Sequence, residues 1–180
     1  MARMHRTRLS LVCWMLAALA GCSQALDWRT IALPTVALQV SLPCKPERTE
    51  RSVEIAGSSL QVVMHSCKAG AATFAVACAT LAQPERAGMT LTHWRAAVLA
   101  AAQAREVHDQ PFLPDGALGL PQSLRSTGMG ALPGGAAIRV DGAWFARVQG
   151  DAVRACHALA YGPALTAPIS DVFFNGLLLQ

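Results

Sequence analysis

The stretch AAIRVDGAWFARVQGDAVRACHALAYG, residues 136–162, holds the clearest structural signal in the chain. Apolar runs rich in strand-forming residues are separated in it by two short polar breaks, at residues 141–142 and 149–151. The first break is Asp141-Gly142, a pair that is typical of tight β-hairpins because its residues accept the positive φ angles of such a turn. The stretch therefore predicts a meander of three antiparallel strands with a turn at each break.

Three segments nearer the N-terminus alternate apolar residues with polar or small ones, which is the pattern of a half-buried β-strand. They cover residues 36–42, 59–67 and 73–80, and a shorter alternating stretch covers residues 51–57. Turn-forming residues separate them, so we expect early antiparallel hairpins. The residues predicted to share one face of each strand are Val36, Leu38, Val40 and Leu42, then Leu60, Val62 and Met64, then Phe74, Val76 and Cys78.

A main helix is predicted between the two groups of strands, at about residues 90–105. Within residues 89–106 the apolar period changes to helical spacing, alanine is abundant and Thr90 is placed to act as N-cap. The apolar stripe of this helix is expected to face the core. Its members are Leu91, Trp94, Val98 and Ala102.

The rest of the chain predicts a long loop and a closing helix. Residues 109–125 contain three prolines and two glycines and are expected to form an ordered loop, whether functional or connecting. Residues 166–180 predict a C-terminal helix that buries Ile169, Val172, Phe173 and Leu177. The predicted fold class is α+β: an antiparallel sheet, made of the early hairpins and the three-strand meander, packed with one main helix and the closing helix.

The N-terminus has the pattern of a secretory signal. Arg3, Arg6 and Arg8 precede an uncharged run of 12 residues, 9–20, whereas a membrane-spanning helix needs about 20. The run ends in Leu19-Ala20-Gly21-Cys22, which resembles a bacterial lipobox.

The resemblance to a lipobox implies that the thiol of Cys22 receives a diacylglycerol and that the chain is cut before Cys22. The new amine then takes an acyl chain such as palmitate, and several acyl chains hold a protein firmly on a membrane. Ser23 is not aspartate, and the bacterial sorting pattern then favours the outer over the inner membrane. The predicted organisation is a signal peptide (1–21), a lipidated tether (22–34) and a single periplasmic α+β domain (35–180).

The charge balance gives no reason to expect a nucleic-acid partner. The full sequence has 15 basic and 11 acidic side chains, and three of the basic ones belong to the signal. The processed chain keeps 12 basic against 11 acidic side chains, a formal net charge of +1. Nucleic-acid-binding domains are typically strongly basic.

Four cysteines remain once Cys13 leaves with the signal and Cys22 is lipidated: Cys44, Cys67, Cys78 and Cys156. An even number in an oxidising compartment favours disulfides, and four cysteines allow three pairings. We favour Cys44–Cys67, at the ends of neighbouring early strands, together with Cys78–Cys156. One bridge with two buried thiols is the alternative.

Candidate chemistry is sparse. His65, Cys67, Cys156 and His157 could together bind zinc, but no CxxC or HxxxH spacing accompanies them, so we predict neither a metal nor a cofactor. No Gly-x-Ser-x-Gly motif is present, and the glycine-rich residues 128–136 lead into a strand instead of the helix that a phosphate loop requires. Neighbouring residues of a strand point to opposite faces, which argues against a Cys156-His157 catalytic pair. The protein is therefore predicted not to be an enzyme.

The body of the chain resembles the PsbP-like α/β/α sandwich. The similar pieces are VSLPCKPE (40–47), FAVACAT (74–80), AYG (160–162) and ISDVFFNGL (169–177). Members of that fold are often accessory proteins of membrane complexes, although fold alone does not define function. The chain also resembles exported proteobacterial proteins, a resemblance that implies no activity.

These observations predict a periplasm-facing lipoprotein held by acyl chains on Cys22. Its expected role is that of a non-catalytic binding or accessory module of an envelope complex. The alternative is a carrier of a small ligand or lipid, with a pocket under the 109–125 loop. The lining of that pocket would be Trp94, Phe112, Leu113 and Trp144. A third possibility is a zinc or thiol enzyme that uses Cys67 and Cys156.

Overall fold

Residues 26–179, the part of the chain described by the computed structural model, form two antiparallel β-sheets and two α-helices. The predicted signal peptide and the lipidation site Cys22 lie outside these residues. The helices are α1 (Ala87–Ala101) and α2 (Ala167–Asn175), and two short 3-10 turns cover Pro34–Val36 and Pro84–Arg86. The strands are β1 (Arg29–Leu33), β2 (Leu38–Leu42), β3 (Glu47–Ile55), β4 (Ser58–Ala69), β5 (Ala72–Leu81), β6 (Arg105–Pro111), β7 (Leu124–Ala131), β8 (Ala137–Gln149), β9 (Ala152–Gly162) and β10 (Leu178–Leu179).

Seven strands form the main sheet, in the order β3-β4-β5-β9-β8-β7-β6. The other three form the small sheet, in the order β1-β2-β10. Helix α1 packs on one face of the main sheet, and the small sheet and α2 pack on the other. The architecture is thus mainly β. The antiparallel sheet and the two helices are confirmed, but ten strands against two helices do not fit a clean α+β description.

The main sheet separates two apolar cores because successive side chains of a strand point to opposite faces. Strand β8 illustrates this: Trp144 is buried under α1, whereas Phe145 is buried under the small sheet. On the small-sheet side, Phe74 meets Phe173 edge to face with ring centroids 5.4 Å apart, and Phe173 meets Phe174 in the same way at 5.0 Å. Such geometry adds about 1 kcal/mol per pair beyond the area that each ring buries.

The strand faces predicted from alternation are confirmed. Val36, Leu38, Val40 and Leu42 are fully buried under the main sheet. The other predicted sets also divide by face: Phe74, Val76 and Cys78 belong to the core under the small sheet, and Leu60, Val62 and Met64 to the core under α1.

The predicted hairpin at Asp141-Gly142 is wrong. Both residues lie in the middle of β8, where Asp141 pairs with Ala160 of β9 and Thr127 of β7. A turn is excluded there because both neighbouring strands continue past this point. The predicted second turn is confirmed, since β8 ends at Gln149 and β9 begins at Ala152. A three-strand meander does exist, but its strands are β7, β8 and β9.

The main helix begins and ends earlier than predicted. It spans Ala87–Ala101, so Thr90 is a buried residue of the first turns and not the N-cap, which is Arg86. Residues 105–111 form strand β6, and the loop predicted at 109–125 shortens to residues 112–123. Main-chain bonding to β7 overrides the helical propensity of the alanine-rich sequence at this point.

Two further boundaries differ from expectation. The predicted tether, residues 22–34, includes β1, which pairs with β2 along its whole length. The closing helix is confirmed at Ala167–Asn175, but Val172 is 44% exposed and Phe174 is buried in its place. Among residues 26–179, no helix is both long and apolar enough to cross a membrane.

A glycine is needed at position 142 because the side chain of Trp144, two residues further along β8, fills the space that a Cβ atom would occupy. A Cβ atom at this position would lie 2.4 Å from Cη2 of Trp144, whose indole is fully buried and cannot move aside. Gly142→Ala should therefore destabilise the fold by about 2 kcal/mol, measured by urea unfolding.

Gly119→Ala is the matched control, since a Cβ atom there meets nothing within 4 Å and its stability change should stay below about 0.5 kcal/mol. Equal stabilities for the two variants would contradict the packing of Trp144 over Gly142.

Candidate functional site

A cleft lies beside the Cys44–Cys67 disulfide and is called here the lysine cleft. Its volume is about 430 Å³. It contains Lys45 and Lys68, the only two lysines of the sequence, whereas arginine occurs 13 times. The lining residues are Cys44, Lys45, Glu47, Ser66, Cys67, Lys68 and Thr73.

Local sequence explains how the lysine cleft forms. Strand β2 ends at Leu42, and the prolines at 43 and 46 prevent the segment between β2 and β3 from joining a sheet. Cys44 lies in this segment, outside any strand, so strand alternation does not restrict the direction of its side chain. Its disulfide to Cys67, with Cα atoms 5.9 Å apart, joins the end of the small sheet to β4 of the main sheet.

The start of the described chain lies at the same end of the domain as the lysine cleft. Arg29 pairs with Leu42, two residues before Cys44. Trp28 packs edge to face on Phe74, with ring centroids 5.7 Å apart. Phe74 in turn pairs with Cys67 across β4 and β5. Trp28, the disulfide and both lysines are thus brought together at one end of the main sheet.

The second disulfide, Cys78–Cys156, is fully buried and joins directly opposed residues of β5 and β9, with Cα atoms 4.1 Å apart. Both bonds have the pairing that the sequence analysis favours. A cysteine in a disulfide supplies no thiolate, either as a zinc ligand or as a nucleophile. While these bonds are intact, Cys67 and Cys156 cannot supply the thiolates that the zinc and thiol alternatives require.

The histidines of the considered zinc set lie apart from each other. His65 Nε2 is 3.1 Å from the Thr35 hydroxyl, on the small-sheet side, while His157 is buried under α1. Cys156 and His157 point to opposite faces of the sheet, as strand alternation requires. Residues 26–179 contain no group of three or more His, Cys, Asp or Glu side chains arranged to hold a metal ion.

The four residues expected to line a ligand pocket do not meet in one. Trp94 and Trp144 belong to the core under α1. Phe112 packs instead against Phe145 and Phe174 on the opposite face, with both centroid distances 6.1 Å. Leu113 is 58% exposed. The main sheet passes between the two groups, so the pocket predicted under the loop is not formed by these side chains.

A network of buried charges surrounds Asp141, which is completely buried in the centre of β8. The guanidinium of Arg139 donates to its Oδ2 from Nε at 3.1 Å and from Nη2 at 3.0 Å. Nη2 of the buried Arg125 lies 3.6 Å from the same oxygen, and the Ser170 hydroxyl of α2 donates to it at 2.5 Å. The network ties α2 to strands β7 and β8.

Arg125 is shared between buried and exposed groups. It also donates to the Ser170 hydroxyl at 3.1 Å and to Asp171 Oδ1 at 2.7 Å. Its guanidinium lies 4.4 Å above the ring of Phe174, a distance at which cation–π attraction operates. These contacts tie Arg125 to helix α2 through Ser170, Asp171 and Phe174.

The histidine under α1 is held neutral. Burial lowers the pKa of His157 to about 4, and its ring stacks obliquely on Trp94 with centroids 4.5 Å apart. Burial, and then the charge of Arg48, also lower the pKa of His65. The buried, neutral ring of His157 thus packs against Trp94 in the core under α1.

Sequence reasoning missed the lysine cleft and the role of Asp141. The scarcity of lysine was visible, but the meeting of residues 45 and 68 depends on the register of β3 with β4, in which Glu47 pairs with Ser66. Comparisons of the chain with known protein families and with curated protein sequences find no match.

Replacing Asp141 by asparagine should strongly destabilise the fold, because it leaves the buried Arg125 and the half-buried Arg139 without their shared carboxylate. Breaking a buried ion pair in this way costs about 3 kcal/mol or more, measurable by urea unfolding.

Asp171→Asn is the matched control. It removes a carboxylate from the same Arg125, but that side chain is 53% exposed. Its loss should cost under about 1 kcal/mol. Similar costs for both variants would contradict the central role assigned to Asp141.

Stability should fall between pH 7.5 and 4.5 because of His157. The unfolded chain takes up a proton near the ordinary histidine pKa of 6.5, whereas folded His157 resists protonation down to about 4. Its contribution is therefore fully present above pH 6.5 and is lost as the pH falls towards 4. The expected loss by pH 4.5 is about 2–3 kcal/mol in urea unfolding experiments.

His157→Phe should weaken this pH dependence, leaving the smaller part that comes from His65. His108→Phe, which makes the same change at an exposed position, is the matched control. A wild-type slope that survives in His157→Phe would show that His157 is not its source.

Proposed function

We propose that the protein is a lipid-anchored accessory protein of the bacterial envelope, which faces the periplasm and binds another envelope component without catalysing a reaction. The observation that carries the proposal is the pair of disulfide bonds, Cys44–Cys67 and Cys78–Cys156. Such bonds form and persist in oxidising compartments, and the periplasm is one of these. The N-terminal signal ending in the lipobox residues Leu19–Cys22 supplies the route to it.

The anchor is proposed to be in the outer membrane, since Ser23 follows the lipidated cysteine. The layering of the domain also supports an accessory role. Helices lie on both faces of the antiparallel main sheet. The PsbP-like resemblance of the sequence, which is part of the proposal, would favour a protein that serves a membrane complex.

The reactive side chains of the domain are engaged in contacts within the fold, which supports the non-catalytic part of the proposal. All four cysteines of the described domain are in disulfides. Asp141 is engaged by Arg139 and Ser170, and His157 is packed under Trp94. These groups are used to hold the layers together.

Metabolic labelling with a clickable palmitate analogue in a Gram-negative host tests the anchor. The wild-type chain should be labelled and should fractionate with the outer membrane, and Cys22→Ser should lose the label. Cys13→Ser is the control, because it removes a cysteine of the same segment that is discarded with the signal. An unlabelled wild type, or equal labelling of Cys22→Ser, would refute the anchor.

The accessory role is tested separately by crosslinking in intact cells, followed by purification of the wild-type protein. We expect one reproducible envelope neighbour, absent from a parallel purification of an unrelated outer-membrane lipoprotein. The same neighbours in both samples would argue against a specific accessory role.

A further inference from the structure

We infer that the end of the domain that bears Trp28 and the lysine cleft lies on the membrane surface, where Lys45 and Lys68 bind the phosphates of anionic lipid headgroups. The inference rests on the proposed anchor at Cys22 and adds to it an orientation and a lipid preference. Three observations carry it: the length of chain after Cys22, the place where that chain joins the domain, and the two lysines.

The connection between anchor and domain is short. Trp28 is packed on Phe74 and strand β1 begins at Arg29. Trp28 lies six positions after Cys22, and a fully extended chain covers at most about 3.5 Å per position. The acylated residue therefore lies within roughly 21 Å of the position of Trp28. A tether continuing to residue 34 would have doubled this distance and left the orientation open.

The short connection joins the domain beside the lysine cleft. Paired residues of neighbouring strands have Cα atoms about 5 Å apart. Two such steps lead from Trp28 to the cleft. Arg29, the next residue, pairs with Leu42 of β2. Phe74, on which Trp28 packs, pairs with Cys67 of β4. The disulfide then holds Cys44 against Cys67. The end of the domain nearest the acyl chains is thus the end that bears Lys45 and Lys68.

Both lysines are exposed and available for an external anion. Each directly follows one half of the disulfide, so their backbone positions are held together. Neither forms an ion pair with any residue of the described chain. Glu47 lines the same cleft and offsets part of their charge. Lysine binds phosphate as a compact, mobile point charge, which suits a fluid headgroup layer.

The neighbouring turn permits close approach to a surface. Gly70 and Ala71 connect β4 to β5, are exposed and carry no bulky side chain. The opposite end of the main sheet bears carboxylates, of Glu54, Glu85 and Asp151, together with the guanidinium groups of Arg86, Arg147 and Arg154. A negative membrane surface attracts cationic groups that lie within about a Debye length of it, so the end joined to the anchor is the one whose lysines are attracted.

Hydrogen exchange of the lipidated full chain in vesicles tests the orientation. The protein is reconstituted in phosphatidylcholine vesicles with or without phosphatidylglycerol. Peptides covering residues 43–47 and 68–73 should exchange more slowly in the anionic vesicles, and added salt should abolish the difference. Equal exchange in both vesicles, or slowing confined to residues 54–58 and 149–152, would overturn the inference.

Charge-reversal variants identify the groups responsible. Lys45→Glu and Lys68→Glu should each reduce the slowing, and together should remove it. Arg51→Glu is the matched control: it makes the same charge change at an exposed site of β3, four residues beyond Glu47 along the strand. If Arg51→Glu acts as strongly as Lys45→Glu and Lys68→Glu, the attraction is general and the lysine cleft is not its source.

Flotation of the same samples separates this inference from the proposed anchor. A protein that floats with both vesicle types but shows no lipid-dependent slowing retains the anchor and refutes the docking. If the purified full chain carries no acyl groups and floats with neither vesicle type, the anchor is refuted. The docking, which depends on the anchor, is then refuted as well.

Discussion

The burial of one carboxylate, that of Asp141, is the constraint around which the domain is arranged. A carboxylate enclosed in the centre of a seven-stranded sheet requires cationic partners, because an isolated charge is very costly in an apolar interior. Arg139 of its own strand and Arg125 of β7 supply them, and Ser170 brings in helix α2. Once α2 is held there, Phe173 and Phe174 complete the core under the small sheet. The next residue, Gly142, leaves space for the indole of Trp144 on the other face.

The two disulfides connect different parts of this architecture. Cys78–Cys156 joins adjacent strands inside the main sheet across a separation of 78 residues, and Cys44–Cys67 ties the small sheet to the main sheet across 23. By loop-closure entropy they would contribute about 4 and about 3 kcal/mol respectively. Cys44–Cys67 also holds the only two lysines side by side, next to the place where the chain from the proposed anchor enters the fold. Stability and orientation thus depend on the same covalent link.

Much of the fold was predictable from the sequence, whereas the candidate site was not. Alternation correctly identified which residues of β2, β4 and β5 share a buried face, and the cysteine pairing that the sequence favoured among three is the one formed. The proposed pocket of Trp94, Phe112, Leu113 and Trp144 failed because the main sheet lies between its members. Lys45 and Lys68 are separated by 23 positions in the chain, and the register of β3 with β4, in which Glu47 pairs with Ser66, brings them to one cleft.

The sequence by itself determined the periods of its strands and helices, the even set of four cysteines and the lipobox-like N-terminus, because each of these is written in neighbouring residues. Only the tertiary structure decided the length of each element and the conformation of Asp141-Gly142. The local preference of that pair is a tight turn, worth at most a few kcal/mol. Main-chain bonding to strands on both sides, two arginine partners and the indole over the glycine together outweigh it. The chain therefore runs straight through the position where its local sequence favours a turn.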